Sequence, residues 1–269
     1  MNDAQAGLSR DPWTSGESYE AYVGRWSRQV AERFITWLEI APGRDWLDIG
    51  CGTGAVTRAI VMTHEPTRVF AFDRSDAFLQ FARAATNDER VSFQSGDAQE
   101  LPFGADGFDV AVSGLVLNFV SEPERMVREM ARVVRPGGVV ALYVWDYAGE
   151  MQMMRHFWDA VRATDPASDL DEGRRFPIAN LTALRELFDR VGLRQIDTDI
   201  IDIPTVFVNF DDYWRPFLGG TGSAPVYVQS LSDAARLDLR EALRERLPVG
   251  TDGTISLIAR ALAIRASVA

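Results

Sequence analysis

The sequence predicts an α/β fold: a doubly wound, mainly parallel seven-stranded sheet that ends in an antiparallel strand pair and carries a helical cap. Three observations predict it. Short apolar runs alternate with segments of helical spacing, a glycine-rich turn follows the first run, and two late apolar runs enclose a long insert. Alternation of strands with helices implies right-handed crossovers and therefore a parallel sheet.

The first five predicted strands are short apolar runs. They lie at 46–49, 68–72, 91–94, 110–113 and 139–145. Segments 54–63, 75–86 and 122–134 between them repeat apolar residues at three- and four-residue steps, which is typical of helices. Pro136, Gly137 and Gly138 predict a sharp stop after the third of these helices. We expect a doubly wound core over residues 41–147.

The residues before and after this core follow other patterns. Residues 1–17 are polar and aperiodic, so we expect a flexible leader. Residues 18–40 have helical spacing that Gly24 divides, so we expect N-terminal lid helices there.

The segment 148–269 is expected to complete the sheet and to add a cap. Strands are predicted near 195–207 and 254–266, and helical spacing covers 150–163 and 181–191 around a charged loop at 165–175. The insert between the two strands is longer than a hairpin connection needs. We therefore expect a helical substrate cap over about 148–180 and 208–250, with a mobile aromatic lid at 210–217.

Composition excludes several partners. Lys and Arg total 28 against 39 Asp and Glu, a formal charge of -11, which should repel nucleic acid and anionic membrane surfaces. Cys51 is the only cysteine, so no intrachain disulfide or thiolate metal cluster can form. No run reaches the ~18 apolar residues that a membrane span needs, and the first ten residues lack a signal-like apolar run. We expect a soluble cytoplasmic protein without a metal.

The glycine-rich turn is the first candidate binding element. Gly50, Gly52 and Gly54 stand between the first strand and the next helix, where glycine permits positive φ and close approach of a ligand to the backbone. Residues 50–55 also satisfy the GxGxxA dinucleotide pattern. A nicotinamide or flavin enzyme therefore stays open at this point.

Two acids follow the next two strands. A carboxylate at Asp73 can accept both hydroxyl protons of a ribose, although an aspartate there is also a favoured helix cap. Asp97 can accept from an adenine amino group, although Gly-Asp is also a common turn. Together with the glycine turn, the two acids favour a nucleoside ligand.

With these residues the chain resembles the class I S-adenosylmethionine-dependent methyltransferases, in the small-molecule branch of the ubiquinone and menaquinone methyltransferases. Five segments carry the resemblance: LDIGCGTG at 47–54, AFDRS at 71–75, GDAQELPF at 96–103, FDVAVSGLVLNFV at 108–120 and MARVVRPGGVVALYVWD at 130–146. The resemblance is strong from about 45 to 145 and weak after 147. It implies a Rossmann-like core, S-adenosyl-L-methionine as cofactor and S-adenosyl-L-homocysteine as product.

The resemblance also implies which residues bind that cofactor. The turn from Asp48 to Gly54 matches the family's cradle for the methionine part, and Asp73 matches the ribose ligand. Asp97 and Ala98 match the adenine contacts, and an aromatic of the N-terminal segment is expected to cover the cofactor. The implied cofactor-binding residues are Asp48, Gly50, Cys51, Gly52, Gly54, Asp73, Arg74, Asp97, Ala98, Ser113 and Tyr22.

The catalytic residues stay unknown at this level. Methyl transfer from a sulfonium is an in-line displacement in which alignment and exclusion of water supply much of the acceleration, so a general base is not required. Asn118, Asp146 and His156 are candidates because they follow the last parallel strands or lie in a Met-rich helix. Each also has an ordinary structural reading, as a loop residue or a polar residue on a packed helix.

The sequence thus predicts a methyltransferase that acts on the O, N or C atom of a small, apolar or aromatic acceptor, as a monomer or homodimer. Two alternatives remain. A nicotinamide-dependent oxidoreductase would need a hydride-side catalytic group that is not found, and a non-enzymatic regulator would bind the cofactor without chemistry.

Overall fold

The structure is a computed structural model that describes residues 19–219 and 222–269. The predicted leader at 1–17 lies outside the described residues, as do two residues of the glycine linker. Within the described ranges, no helix is long and apolar enough to cross a membrane.

The strands are β1 Asp45–Ile49, β2 Arg68–Asp73, β3 Val91–Ser95, β4 Phe108–Gly114, β5 Val134–Trp145, β6 Arg194–Phe207 and β7 Ile255–Ser267. They form one mixed sheet with the order β3-β2-β1-β4-β5-β7-β6. The pairs β1–β2, β1–β4, β2–β3 and β4–β5 are parallel, and the late strands β6 and β7 are neighbours, so the predicted fold class is confirmed. β1 is central and buried, and its Asp48 lies opposite Ala71 of β2 and Val112 of β4.

The helices begin and end where local signals place them. Gly24 divides the N-terminal segment, because a π-helical turn Glu20–Gly24 ends where α1 Arg25–Leu38 begins. Ser75 caps the helix α3, which spans Asp76–Ala85, by accepting from the Phe78 N–H at 3.3 Å. The other α-helices are α2 Ala55–Thr63, α3 Asp76–Ala85, α4 Pro123–Val133, α5 Gln152–Thr164, α6 Glu172–Arg175, α7 Leu181–Val191, α8 Phe210–Trp214, α9 Ser223–Ser230 and α10 Asp233–Arg246.

One boundary differs from the prediction. α4 ends at Val133 as expected, but β5 begins at Val134, so Pro136, Gly137 and Gly138 lie inside the strand. The ladder to β4 is irregular between Phe108 and Val110, and Gly137 has φ 77°. The predicted stop after this helix is confirmed, whereas the strand begins at Val134 and not at 139. Phe108 pairs with Val134 and Val110 with Val139, so residues 135–138 form an irregularity in the ladder to β4.

The predicted aromatic lid and charged loop also look different in the structure. Residues 210–217 form α8 and a 3-10 turn, and their aromatic side chains Phe210, Tyr213, Trp214 and Phe217 are buried. The Tyr213 hydroxyl donates to the Met153 carbonyl at 2.8 Å. These aromatics therefore form packed core rather than a free lid face. Residues 172–175 of the predicted loop form the short helix α6.

The chain forms two compact units. The core unit comprises Ser27–Val144, Ile178–Ile201 and Ala261–Ala269, and it contains β1 to β4 and the glycine turn. The aromatic unit comprises, among the described residues, 19–26 with Trp145–Pro177 and Asp202–Arg260. Residues 27–40, predicted as part of the lid helices, pack with the core unit.

Candidate active site

The turn after β1 is tied to the end of β2. The backbone N–H groups of Gly50 and Cys51 both donate to the Phe72 carbonyl, at 2.6 and 3.0 Å, and the Gly54 N–H donates to the Cys51 carbonyl at 2.8 Å. The glycines at 50, 52 and 54 have φ values of 72°, 53° and 84°. The turn therefore presents backbone with few side chains between β1 and α2.

Gly50 is required both by its backbone angle and by its neighbour. A β-carbon added there would lie 2.3 Å from Cγ2 of Val116, which follows β4. Only glycine combines that close contact with a φ of 72° at no steric cost. The segment after β4 consequently packs directly on the turn.

Asp48 is a fully buried carboxylate with one unused oxygen. Its Oδ2 accepts from the Thr57 hydroxyl at 2.6 Å, whereas Oδ1 has no hydrogen-bond partner among residues 19–219 and 222–269. Burial raises the pKa of Asp48 to about 7, the bond from Thr57 lowers it, and the Asp73 charge raises it. A buried unpaired acceptor costs free energy, which a donor on a bound ligand would recover.

Asp73, at the end of β2, organises the same region. Its Oδ2 accepts from the Gly52 N–H at 2.9 Å, and its Oδ1 accepts from the Ser75 N–H at 2.8 Å. Burial raises the pKa of Asp73, and these backbone bonds and the charge of the exposed Arg74 lower it. A carboxylate has about four lone-pair sites, so acceptor capacity remains for a ligand hydroxyl. The N-cap of α3 is Ser75, so the alternative that Asp73 serves only as the helix cap does not hold.

The third acid lies at the end of β3. The Gly96 N–H donates to the Asp73 carbonyl at 3.1 Å, which holds residues 96–97 beside the end of β2. Asp97 is exposed and accepts from the Gln99 N–H at 2.8 Å, and Ala98 is half-buried. Asp48, Asp73 and Asp97 thus lie at or beyond the carboxyl ends of three neighbouring strands, where open α/β sheets bind ligands.

Two polar residues mark the end of β4. The Ser113 hydroxyl is buried and donates to the Ile49 carbonyl at 2.7 Å, so it joins β4 to the start of the glycine turn. Asn118 lies in the 3-10 turn Leu117–Phe119 and is 8% exposed. In the described part of the chain, neither its amide oxygen nor its amide nitrogen has a partner. Its amide is free to both donate to and accept from a ligand.

Cys51 packs inward. Its side chain joins a buried cluster with Ala71 and Leu79, and burial raises the pKa of the thiol. Its backbone N–H donates to the Phe72 carbonyl of β2, and its carbonyl accepts from the Gly54 N–H. The structure therefore gives Cys51 a packing role in the turn and no nucleophilic character.

The other three predicted site residues lie in the aromatic unit. Tyr22 is buried with its ring edge-on to Phe217, 6.0 Å between centroids. The Asp146 carboxylate accepts from the N–H groups of Gly149 and Glu150, both at 3.0 Å, and so holds the turn before α5.

His156 is half-buried on α5. Burial lowers its pKa, the charge of Asp159 raises it, and the charge of Arg246 at the end of α10 lowers it. The lowered pKa favours the neutral imidazole, which is the form that a general base requires.

Sequence reasoning missed Thr57 and Val116. Thr57 is an ordinary helix residue by pattern, yet its hydroxyl is the partner of Asp48, and Val116 is an ordinary apolar residue, yet it fills the space beside Gly50. No local signal distinguishes either residue, because each acts through a contact between distant segments. Within the described segments, no group of three or more His, Cys, Asp or Glu residues could hold a metal ion.

Residues 47–142 match the methyltransferase domain family. The matched range holds most of the segments that carry the resemblance, so the resemblance to methyltransferases is confirmed over that part of the chain.

Curated relatives match over part of the chain. The malonyl-[acyl-carrier protein] O-methyltransferase of Serratia marcescens is 32% identical over 144 residues, which cover 54% of this chain and 54% of the relative. The demethylmenaquinone methyltransferase of Clavibacter sepedonicus is 34% identical over 113 residues, 41% of this chain and 45% of the relative. The chain thus spans about half the length of these two relatives.

Solved structures share the fold. Phosphoethanolamine N-methyltransferase 2 of Haemonchus contortus, in complex with S-adenosyl-L-methionine, superposes with a TM-score of 0.60 at 17% identity, covering 99% of this chain and 60% of that chain. The [4+2]-cyclase SpnF superposes with a TM-score of 0.51 at 19% identity, covering 90% and 80%. At these identities the likeness shows the fold alone, and a fold can host more than one chemistry.

Proposed function

We propose that this chain is an S-adenosyl-L-methionine-dependent methyltransferase that methylates an O, N or C atom of a small, apolar or aromatic molecule. The observation that carries the proposal is the buried Asp48 carboxylate oxygen, which has no partner among the described residues and lies beside a turn of three glycines, within a domain that matches methyltransferases. A relative named for demethylmenaquinone supports a small-molecule acceptor.

The residues present fit this cofactor. Asp48 offers a buried acceptor and negative charge to a cationic group, and the backbone at Gly50, Gly52 and Gly54 leaves room for the methionine portion. Asp73 retains acceptor capacity for ribose hydroxyls. We assign Arg74, Asp97 and Ala98 to the nucleoside end and Tyr22 to the covering aromatic. When bound, the cofactor supplies an electrophilic methyl group on a sulfonium.

The chain's own contribution is positioning. Thr57 holds the Asp48 carboxylate, and Ser113 holds the Ile49 carbonyl, so the carboxyl edge is ordered before a ligand arrives. Cys51 contributes to the proposed cofactor site only by packing inward from the glycine turn. Asn118 is our first candidate for a group that touches a reactant, because its amide is buried and unpaired within the described ranges.

The other two catalytic candidates are weaker. The Asp146 carboxylate is engaged by two backbone N–H groups, so we give it no catalytic role. His156 has the protonation state of a base, and its role stays a prediction. Location in the cytoplasm and a monomeric or homodimeric state also stay predictions.

Equilibrium binding tests the cofactor assignment. Calorimetry with S-adenosyl-L-homocysteine should give tight binding, and NAD should not bind. The reverse result would refute the proposal in favour of a nicotinamide-dependent oxidoreductase. Turnover is then measured with radiolabelled S-adenosyl-L-methionine and a panel of quinols, naphthols, amines and carboxylic acids. Cofactor binding without transfer to any member of the panel would favour the non-enzymatic regulator.

A further inference from the structure

We propose that Arg25, Trp26 and Thr205 of the aromatic unit form a binding site for the carboxylate group of a small aromatic molecule. The assignment of that molecule as the methyl acceptor rests on the proposed function, whereas the carboxylate site itself does not.

Arg25 presents an unused fork of two donors. Its Nη1 donates to Asp212 Oδ1 at 3.3 Å, which anchors the guanidinium. Its Nε and Nη2 are buried and have no partner among the residues that the structure describes. These two N–H groups lie on one edge of the planar guanidinium, and their spacing matches the two oxygens of a carboxylate.

Two more polar groups have no hydrogen-bond partner among the described residues: one is on Trp26, whose ring the guanidinium covers, and the other is on Thr205 of β6. The Arg25 guanidinium lies 4.4 Å from the centroid of the Trp26 ring and 4.9 Å from that of Phe207, and the two rings are 5.7 Å apart. Thr205 precedes Phe207 by two residues on β6, so both side chains lie on the same, buried face of the strand. Over the described ranges, the Trp26 indole Nε1 and the Thr205 hydroxyl are buried without a partner.

All four unpaired atoms can donate a hydrogen bond. Trp26 is 7% exposed and Thr205 is 0% exposed, so both side chains are largely removed from bulk solvent, and leaving such groups unpaired costs stability. A ligand that offers only acceptors complements them, and an anion also complements the guanidinium. The Trp26 and Phe207 rings favour an aromatic body beside that anion.

A carboxylate fits better than a phosphate. Asp212 already offsets part of the Arg25 charge, and the whole chain has a formal charge of -11, so a second negative charge on the ligand would be repelled. The Arg25 side chain is 32% exposed, so the residue is partly open to solvent.

Three probes that share a naphthalene ring test which charge the ligand carries. Calorimetry of the full chain with 2-naphthoate, 2-naphthamide and 2-naphthyl phosphate, each without cofactor, should show that the carboxylate binds at least about tenfold more tightly than the other two. The Trp26 indole ¹⁵N–¹H signal, assigned among seven tryptophans with Trp26→Phe, should shift on naphthoate binding. Equal affinity for the amide, or preference for the phosphate, would overturn the carboxylate assignment.

Variants that remove hydrogen-bond donors test whether Thr205 and Arg25 bind the carboxylate. Thr205→Val and Arg25→Gln should each weaken naphthoate binding about tenfold, because each removes donors to a charged group. Thr205→Val should also raise the Tm, since it removes a buried unpaired hydroxyl; a lower Tm would remove Thr205 from the site. Arg244→Gln is the matched control, because this guanidinium also stacks on an aromatic ring of the same unit, 4.2 Å from Phe210, and should leave the affinity unchanged. Unchanged affinity in Arg25→Gln would refute the site.

Two outcomes separate this inference from the proposed function. A chain that binds 2-naphthoate through Arg25 but transfers no methyl group to aromatic carboxylates would keep the site and refute its role in acceptor recognition. A chain that methylates neutral acceptors and binds no naphthoate would refute the site and keep the proposed function.

Discussion

The carboxylate of Asp73 accepts a hydrogen bond from the backbone N–H of Gly52 at 2.9 Å, which joins the end of β2 to the turn after β1. The second oxygen accepts from the Ser75 N–H at the start of α3. One side chain therefore shapes the glycine turn and presents a buried charge at the proposed ribose position. Loss of Asp73 should affect both the fold and the cofactor.

Asp73→Ala should weaken S-adenosyl-L-homocysteine binding by roughly 1 to 3 kcal/mol, because charge-assisted hydrogen bonds are lost. It should also lower the free energy of unfolding, since the N–H groups of Gly52 and Ser75 lose their acceptor. Calorimetry and urea unfolding measure the two effects. Asp88→Ala is the control: Asp88 also accepts from a backbone N–H, that of Arg90, but it precedes β3 at the opposite end of the strands. Unchanged affinity in Asp73→Ala would contradict the assignment.

Asp48 should make the stability of the protein fall as pH rises. Its pKa is raised by burial from 3.8 to about 7, so between these values the folded state binds more protons than the unfolded state. The penalty of the buried charge is absent below about pH 4 and complete above about pH 7. Asp48→Asn should therefore become progressively more stable than wild type from pH 4 to pH 7, by an amount on the order of a few kcal/mol.

Urea unfolding of both proteins at pH 4.5 and pH 8 checks this difference. Thr57→Val serves as the second variant, because it removes the hydrogen bond that lowers the Asp48 pKa and should move the window to higher pH. A difference between Asp48→Asn and wild type that does not depend on pH would show that Asp48 is ionised throughout.

Asn118→Leu should raise the free energy of unfolding by about 1 to 3 kcal/mol, because a buried amide without a partner among the described residues is replaced by an apolar side chain. The same variant should bind the cofactor product or the acceptor less tightly. Asn180→Leu is the opposite case: its side chain accepts from the Ala183 N–H at 2.9 Å as a helix cap, so its loss should cost about 1 kcal/mol. Destabilisation by Asn118→Leu would mean that the amide is satisfied within the protein.

Gly50→Ala and Gly43→Ala separate the cost of the backbone angle from the cost of steric overlap. Both glycines have φ 72°, but an added β-carbon at Gly43 is 3.9 Å from the nearest atom, Thr67 Oγ1, whereas at Gly50 it is 2.3 Å from Val116. Gly43→Ala should lose about 1 to 2 kcal/mol of stability from the backbone angle alone, and Gly50→Ala about 1 to 3 kcal/mol more from the overlap. The double variant Gly50→Ala, Val116→Ala should recover part of the second cost. Equal losses in the two single variants would contradict a steric contribution from Val116.

Sequence patterns predicted most of the helices and strands. The predictions were wrong where a feature depends on contacts between distant segments. The helix over 181–191 and the strand near 195–207 were predicted to within one residue, because apolar periodicity reflects which side of an element is buried. The early start of β5 at Val134 was missed, because it depends on pairing with Phe108 of β4 and not on local propensity. The aromatics at 210–217 were misread for a similar reason, since their burial depends on Phe157 and Phe207.

The sequence by itself determined the alternation of strands and helices and the glycine turn. It also determined the acids at or after the ends of β1, β2 and β3, because these are local properties of the chain. Only the tertiary structure decided which polar atoms are satisfied. Asp48 and Asn118 in the core unit, and Arg25, Trp26 and Thr205 in the aromatic unit, retain unpaired atoms when only the described residues are considered. Hydrogen-bond satisfaction depends on contacts between segments far apart in the chain, so no sequence pattern reports it.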